Sequence, residues 1–467
     1  MTRVYLIVAL GYALLALAVV QIEFRRTRGR GIDVTTVFMG LCLLQCCIPG
    51  IAIYSILPFV DRAAPTGIDA FDRVYHAMDP TLALAVLLLT VWFVLFIYIG
   101  SGLGRLILSS EKFGGRRPST FLVSVSLQRA FVVLTVGLLL TLLSFYLLGD
   151  SLTVRYANLI LLRAGAPEIE RTALNANAFA LTQTWGFLSI LAIFAAYETK
   201  GRGGAWLIAI AFTLVFALLG VSRRALFLPI IFCYFTISLH RRKFRLKWIA
   251  IAAVPMLLLL AYGKELLASV AFGLDVETVS SNYQSMASAM LRAFSDSGLT
   301  IIESVGTLAF LHLDPRFGVD HVLSMMQRFP EGMLGWDFNF PERIVRVSTI
   351  AFADANAQDI PPGVVGQMWL DFRLLGPVVW GLVFGLQVSV LQALYVHSRK
   401  NYQSAAAFVL LAFVVVLPIN TGSFDFSFNV DMIALVAALV FCVKVRREAQ
   451  AVPIQSSRPL TLAPGET

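Results

Sequence analysis

Residues 205–240 read AWLIAIAFTLVFALLGVSRRALFLPIIFCYFTISLH, two apolar runs separated by the adjacent cations Arg223 and Arg224. A single helix over 205–239 would be about 52 Å long at roughly 1.5 Å per residue, far more than the roughly 30 Å of hydrocarbon in a bilayer. The chain must therefore break. Gly220, followed by Val221 and Ser222, is the predicted place, because glycine ends helices without steric cost. Two helices of spanning character joined by a short polar break predict a polytopic, all-α membrane protein.

Composition extends this to the whole chain. Of 467 residues 58% are hydrophobic and 14% charged, with a mean hydropathy of +0.79, which excludes an ordinary soluble domain. Eleven spans are predicted near 4–20, 35–58, 81–101, 131–148, 179–197, 205–220, 225–239, 248–262, 375–397, 405–420 and 430–444. They divide the chain into 1–262 with spans 1 to 8, a loop over 263–363 and a region at 364–447 with a re-entrant segment and spans 9 to 11. A disordered tail over 448–467 completes the chain. Cys42, Cys46, Cys47, Cys233 and Cys442 all fall within spans and read as small core residues. The CxxxCC at 42–47 has no histidine or carboxylate beside it, so no metal site is predicted.

Charge sets the orientation. EFRRTRGR, GRLILSSEKFGGRR, TKGRG, RRKFRLK and SRKNYQ follow spans 1, 3, 5, 7 and 9, and the tail begins KVRRE. The opposite connections include DRAAPTGIDAFDRVYHAMDP at 61–80 and TGSFDFSFN at 421–429, which are acidic or neutral. The positive-inside rule puts the N-terminus outside and the C-terminus in the cytoplasm. Span 1 lacks a small-residue cleavage site and reads as retained. The formal net charge of +9 is thus an orientation signal, and no nucleic-acid partner is implied. The 263–363 loop, external in this scheme, holds twelve acidic against six basic residues, with apolar and aromatic positions mixed among them. It is the expected seat of chemistry.

The same scheme puts Arg223 and Arg224 at the external face, where the charge rule gives no reason for arginine. One account is that they snorkel to lipid headgroups. The other is an anionic ligand, since two guanidiniums at the start of a helix add to its free amides and positive end.

GVSRRALFL, EFRRTRG after the first span, and PPGVVGQMWLDFRLLGPVVWGLVFG ahead of span 9 together resemble the Wzy-type oligosaccharide repeat-unit polymerases of O-antigen and common-antigen synthesis. The resemblance implies a bacterial inner-membrane glycosyltransferase, metal-independent and without cofactor, with a fold similar to the GT-C type. Its substrates would be polyprenyl-pyrophosphate-linked glycans in contact with membrane lipid. A chain-length regulator and a flippase would be its partners. Such polymerases carry an arginine in each of two external loops; here Arg223 or Arg224 would pair with a loop arginine. No loop arginine is followed eleven residues later by glycine, so the choice of that arginine stays open.

The chemistry asks for cations on a pyrophosphate leaving group and a base for the acceptor hydroxyl. Arg223, Arg224, Arg292 and Arg316 are the pyrophosphate candidates, and Glu303, His312 and Asp296 the catalytic ones. Glu303 interrupts the apolar run GLTIIESVGTLAF, where burial would disfavour its charged form; a solvated helix face explains it equally. Trp336, Asp337, Arg343 and Arg346 suit a glycan's faces and hydroxyls, or a folded loop core. Asp371 and Arg373 would either pair with each other or meet the lipid carrier. Two rival functions remain: a ligase passing finished glycan to a lipid core, and a transporter or flippase, which internal symmetry would favour and this chain lacks.

Overall fold

The structure, a computed structural model, describes residues 2–27, 31–59, 79–109, 121–164, 178–179, 181–199, 204–220, 223–243, 301–311, 313–320, 347–348, 350–351, 361–421 and 430–447. Helices dominate them. In chain order they are α1 (Thr2–Thr27), α2 (Val34–Cys42), α3 (Ile48–Ile56), α4 (Pro80–Ser109), α5 (Leu127–Tyr146), α6 (Leu152–Ala164), α7 (Thr182–Glu198), α8 (Ala205–Gly220) and α9 (Arg223–Arg241). There follow α10 (Ile301–Phe310), then α11 (Val364–Phe372), α12 (Gly376–His397), α13 (Tyr402–Thr421) and α14 (Val430–Cys442).

Among the described residues, six continuous helical stretches are long and apolar enough to cross a membrane: Arg3–Thr27, Val34–Phe59, Pro80–Leu108, Leu127–Tyr146, Val364–His397 and Tyr402–Ile419. Thr184–Glu198, Ala205–Gly220, Leu228–Arg241, Ile301–Phe310 and Ile433–Cys442 are apolar but shorter. Ten of the eleven predicted intervals hold a helix; the eleventh, 248–262, lies outside the described residues, as does the 448–467 tail. The predicted break after Gly220 is present, with α8 ending at Gly220 and α9 opening at Arg223.

α13 is the hub. Gln403 through Leu410 are buried without interruption, and α2, α7, α9 and α12 all pack around it. The three small residues Ala405–Ala407 let those helices approach closely. α4 and α12 form the tightest pair and run parallel. Gly381 lies against Phe93 and Phe96, Gly385 against Ile97 and Ser101, and Ser389 against Gly104, the two series rising together. A β-carbon on Gly385 would meet the Ile97 carbonyl at 2.3 Å, so only glycine fits. α1 packs on α3 through stacked tyrosines, Tyr5 and Tyr12 each about 6 Å from Tyr54, with Gly50 making room for the Tyr12 ring. Of the CxxxCC stretch, Cys42 ends α2 and the rest forms a single π-helical turn, Leu43–Cys47, before α3, and all five cysteines are free thiols.

Among the described residues, one short ribbon accompanies the helices expected for an all-α membrane protein. Phe121–Val125 and Val443–Arg447 pair as an antiparallel ribbon, β1 and β2, in register Phe121↔Arg447 to Val125↔Val443. Both segments place β-branched valines at alternate positions, a pattern too short to stand out beside long apolar helices. The ribbon is stitched to the bundle by the Ser126 amide donating to the Cys442 carbonyl and the Val125 amide donating to Gln403 Oε1. α6 lies between the predicted spans 131–148 and 179–197, packing Leu159 and Leu162 with Leu148 and Phe179 in a small satellite core.

The bundle has a basic end, where α1, α4, α9, α12 and α14 finish at Thr27, Ser109, Arg241, His397 and the β2 ribbon. There Arg26 donates to both carboxylate oxygens of Asp33 at 2.6 and 2.7 Å and to Glu23 Oε2 at 2.5 Å. Asp33 also caps α2 through the Thr36 amide, and the adjacent Val34 amide donates to Gln392 on α12. Arg26 and Glu23 thus clasp the end of α1 to Asp33 at the start of α2, and Val34 ties that start to α12.

Candidate active site

At the opposite end of α12, two stretches more than 50 residues apart in sequence meet. α10 lies beside α11: the Thr307 hydroxyl donates to the Pro362 carbonyl, and the Gly366 amide donates to Ser304 Oγ. Gly366 is required here, because a β-carbon would sit 2.7 Å from that of Thr307. Glu303, on the same helix, is buried at 2% exposure, and Gln367 of α11 is buried too. The apolar run around Glu303 therefore packs as a helix with its carboxylate inside the protein and not on a solvated face.

Past α10 the chain turns sharply. Phe317 and Gly318 both have positive φ, 53° and 74°, and the Val319 amide returns to the Arg316 carbonyl at 3.0 Å. Positive φ at both central positions is the mark of a type I′ turn. Glycine adopts this freely. Phenylalanine does not. The turn is fastened to the end of α11 by the Arg316 amide on the Leu370 carbonyl at 2.9 Å and the Phe317 amide on the Asp371 carbonyl at 3.0 Å.

Asp371 is the centre of this junction. It is fully buried, with Oδ1 accepting from the Gly318 amide at 3.2 Å and Oδ2 from the Trp380 indole N–H at 2.9 Å. The Arg316 guanidinium forks onto Asp320, 2.5 and 2.6 Å to the two oxygens, and Asp320 is itself buried. Arg373 stands where α11 breaks from α12. Its φ of 55° and ψ of −132° lie outside the comfortable regions for an L-residue. That backbone sends its side chain to the Leu313 carbonyl and over the Trp369 ring. Asp371 and Arg373, two residues apart, thus do not pair with each other. Each binds a different element and both hold the α10–turn–α11 unit together.

Three of the residues singled out by sequence, Arg316, Asp371 and Arg373, therefore meet at this junction, and Glu303 lies on α10, which packs beside α11. Arg223 and Arg224 open the first turn of α9. Arg292, Asp296, His312, Trp336, Asp337, Arg343 and Arg346 lie outside the described residues. Sequence reasoning passed over Trp380, Asp320 and Phe317. Asp320 was legible in principle, as a carboxylate four residues from Arg316. Trp380 sits among apolar residues of a span and carried no such signal.

Where α7, α8 and α9 meet, Thr182, Gly186, Thr213, Phe216, Leu228 and Pro229 line a cavity of ≈ 10 Å³, room for one water at most. Comparisons with models of known protein families, with curated proteins and with solved structures find no match for this chain.

Proposed function

We propose that the chain is a glycan polymerase of the inner membrane of a bacterium, joining polyprenyl-pyrophosphate-linked oligosaccharide repeat units at the outer face. In this scheme eleven helices cross the bilayer, the architecture is similar to the GT-C type, the N-terminus lies outside and the basic end of the bundle faces the cytoplasm. The observation that carries the proposal is the union of α10, the 316–319 turn and α11 at the end of α12 away from the basic loops. It gathers three buried carboxylates, Glu303, Asp320 and Asp371, and two arginines where a lipid-linked substrate would present its head group.

The reaction follows from those groups. A carboxylate, Glu303 being the candidate within this unit, takes the proton of the acceptor hydroxyl. The oxygen lone pair forms the bond to the anomeric carbon of the donor glycan, and the bond from that carbon to pyrophosphate oxygen breaks. Its electron pair leaves with polyprenyl pyrophosphate. Guanidiniums stabilise the charge that grows there. Arg223 and Arg224 are assigned that task, with Arg316 or Arg292 opposite them. The contacts of Asp371 and Arg373 favour a role in holding the site over one in contacting the lipid.

The test is replacement of Arg223, Arg224 and Glu303, singly, by alanine, with glycan ladders read from cells. Loss of the ladder with single repeat units still attached to the surface lipid supports the proposal. Normal ladders in all three variants refute the site, and loss of every glycan including the single unit points to a ligase.

A further inference from the structure

The turn at 316–319 carries an unexplained choice of residue. Phe317 has a φ of 53°, a conformation that crowds any side chain with a β-carbon and a bulky one most. Glycine or asparagine would make the same turn at lower cost. Yet the turn is held on several sides: by the Leu370 and Asp371 carbonyls, by the buried Asp371 carboxylate that Trp380 also engages, and by the Arg316–Asp320 fork. What this framework holds in place is the Phe317 ring, 68% exposed and edge-on to Phe372 at 6.0 Å and 71°. A ring fixed in an unfavourable backbone geometry and turned outward is placed there for contact.

We propose that Phe317 is a stacking platform for a sugar ring of the carrier-linked glycan. This rests on the polymerase reading and adds a subsite to it. One face of a pyranose is a patch of C–H groups that fits flat on an aromatic ring, and its hydroxyls lie at the edge. The Arg316–Asp320 fork beside the ring is closed on itself, with Asp320 buried, so it stiffens the turn and leaves contact with the sugar to the ring face. The rival occupant is outer-leaflet lipid, because Leu374 and Leu375 are exposed at the neighbouring start of α12.

The experiment uses the full-length protein in nanodiscs and, as probe, the repeat-unit oligosaccharide freed of its lipid. The source is lipid-linked material from cells that lack the chain. Direct binding of this free oligosaccharide is measured for wild type, Phe317→Ala, Phe317→Gly and Phe317→Trp. The platform predicts at least a fivefold weaker Kd for alanine and glycine, near-wild-type binding for tryptophan, and a Tm for the glycine variant no lower than that of wild type because strain is relieved. Equal binding by all four overturns it; if lipid-linked substrate alone then binds more weakly to the alanine variant, the ring is a lipid anchor. Elongation is assayed separately. Wild type that binds the oligosaccharide through Phe317 but makes no polymer refutes the polymerase reading and leaves the platform standing.

Discussion

Trp380 and Asp371 offer the sharpest test of how the site is held. Trp380→Phe keeps most of the ring and removes the single N–H that reaches Asp371 Oδ2 at 2.9 Å. The carboxylate is fully buried, so no bulk water replaces the lost donor. Hydrogen bonds to charged groups contribute about 1.5–3 kcal/mol net, well above the ~0.6 kcal/mol average of interhelical pairs within a bilayer. Asp371→Ala costs more, since it also frees the Gly318 amide held at 3.2 Å. In the alanine background, the indole N–H has already lost its acceptor, so Trp380→Phe adds little. The double-mutant cycle is therefore expected to show a coupling of about 1.5–3 kcal/mol. Equilibrium unfolding in mixed micelles at fixed protein concentration supplies the four stabilities. Additivity to within about 0.5 kcal/mol would refute the Asp371 clamp.

Other expectations concern the scaffold. Gly385→Leu drives a side chain into the Ile97 carbonyl and the Ser101 amide, and is expected to abolish accumulation of folded protein, checked by size-exclusion profile after extraction; a normal profile would mean α4 and α12 do not pack this way. Arg26→Met strands Glu23 and Asp33 and is expected to destabilise by about 3 kcal/mol, toward the low end for breaking a buried pair because Asp33 is partly exposed. Its unfolding midpoint should fall further than that of Glu23→Gln. Acid provides a third check. Burial alone would raise the Asp33 carboxyl, but hydrogen bonds and charge from Arg26, with help from Thr36, bring it below its ordinary 3.8. A depressed folded value means the contribution is complete above the unfolded value of about 3.9 and is lost as pH falls through the folded one. Wild type should therefore lose stability more steeply than Asp33→Asn below about pH 4, and parallel pH profiles would contradict the clasp.

Much of the scaffold was legible because bilayer thickness and helix rise leave few choices. The 205–240 stretch could not be one span, and Gly220 is where it breaks. Site geometry was less legible, for local reasons. Asp371 and Arg373 looked like a pair because they are near in sequence; the positive φ at Arg373 turns one toward Leu313 and leaves the other with Trp380. No hydropathy pattern shows a backbone angle. RFGV at 316–319 has glycine where a type I′ turn wants it, but phenylalanine at the preceding position is a residue that disfavours such a turn. The β1–β2 ribbon joins residues more than 300 positions apart through five-residue strands, which only the packing of α5, α13 and α14 brings together. The glutamate at 303 was correctly placed in an apolar run, and its burial follows from the helix–helix contact that Gly366 permits.

The central claim is a chemical one, that this chain forms glycosidic bonds between lipid-linked units. The direct measurement is elongation by the purified protein in nanodiscs, supplied only with polyprenyl-pyrophosphate-linked repeat unit. Products are resolved as a ladder, and released polyprenyl pyrophosphate is counted. A ladder growing with one polyprenyl pyrophosphate freed per new linkage is the predicted result. Intact repeat units with no new linkage, whether left in place or moved across the bilayer, would contradict it.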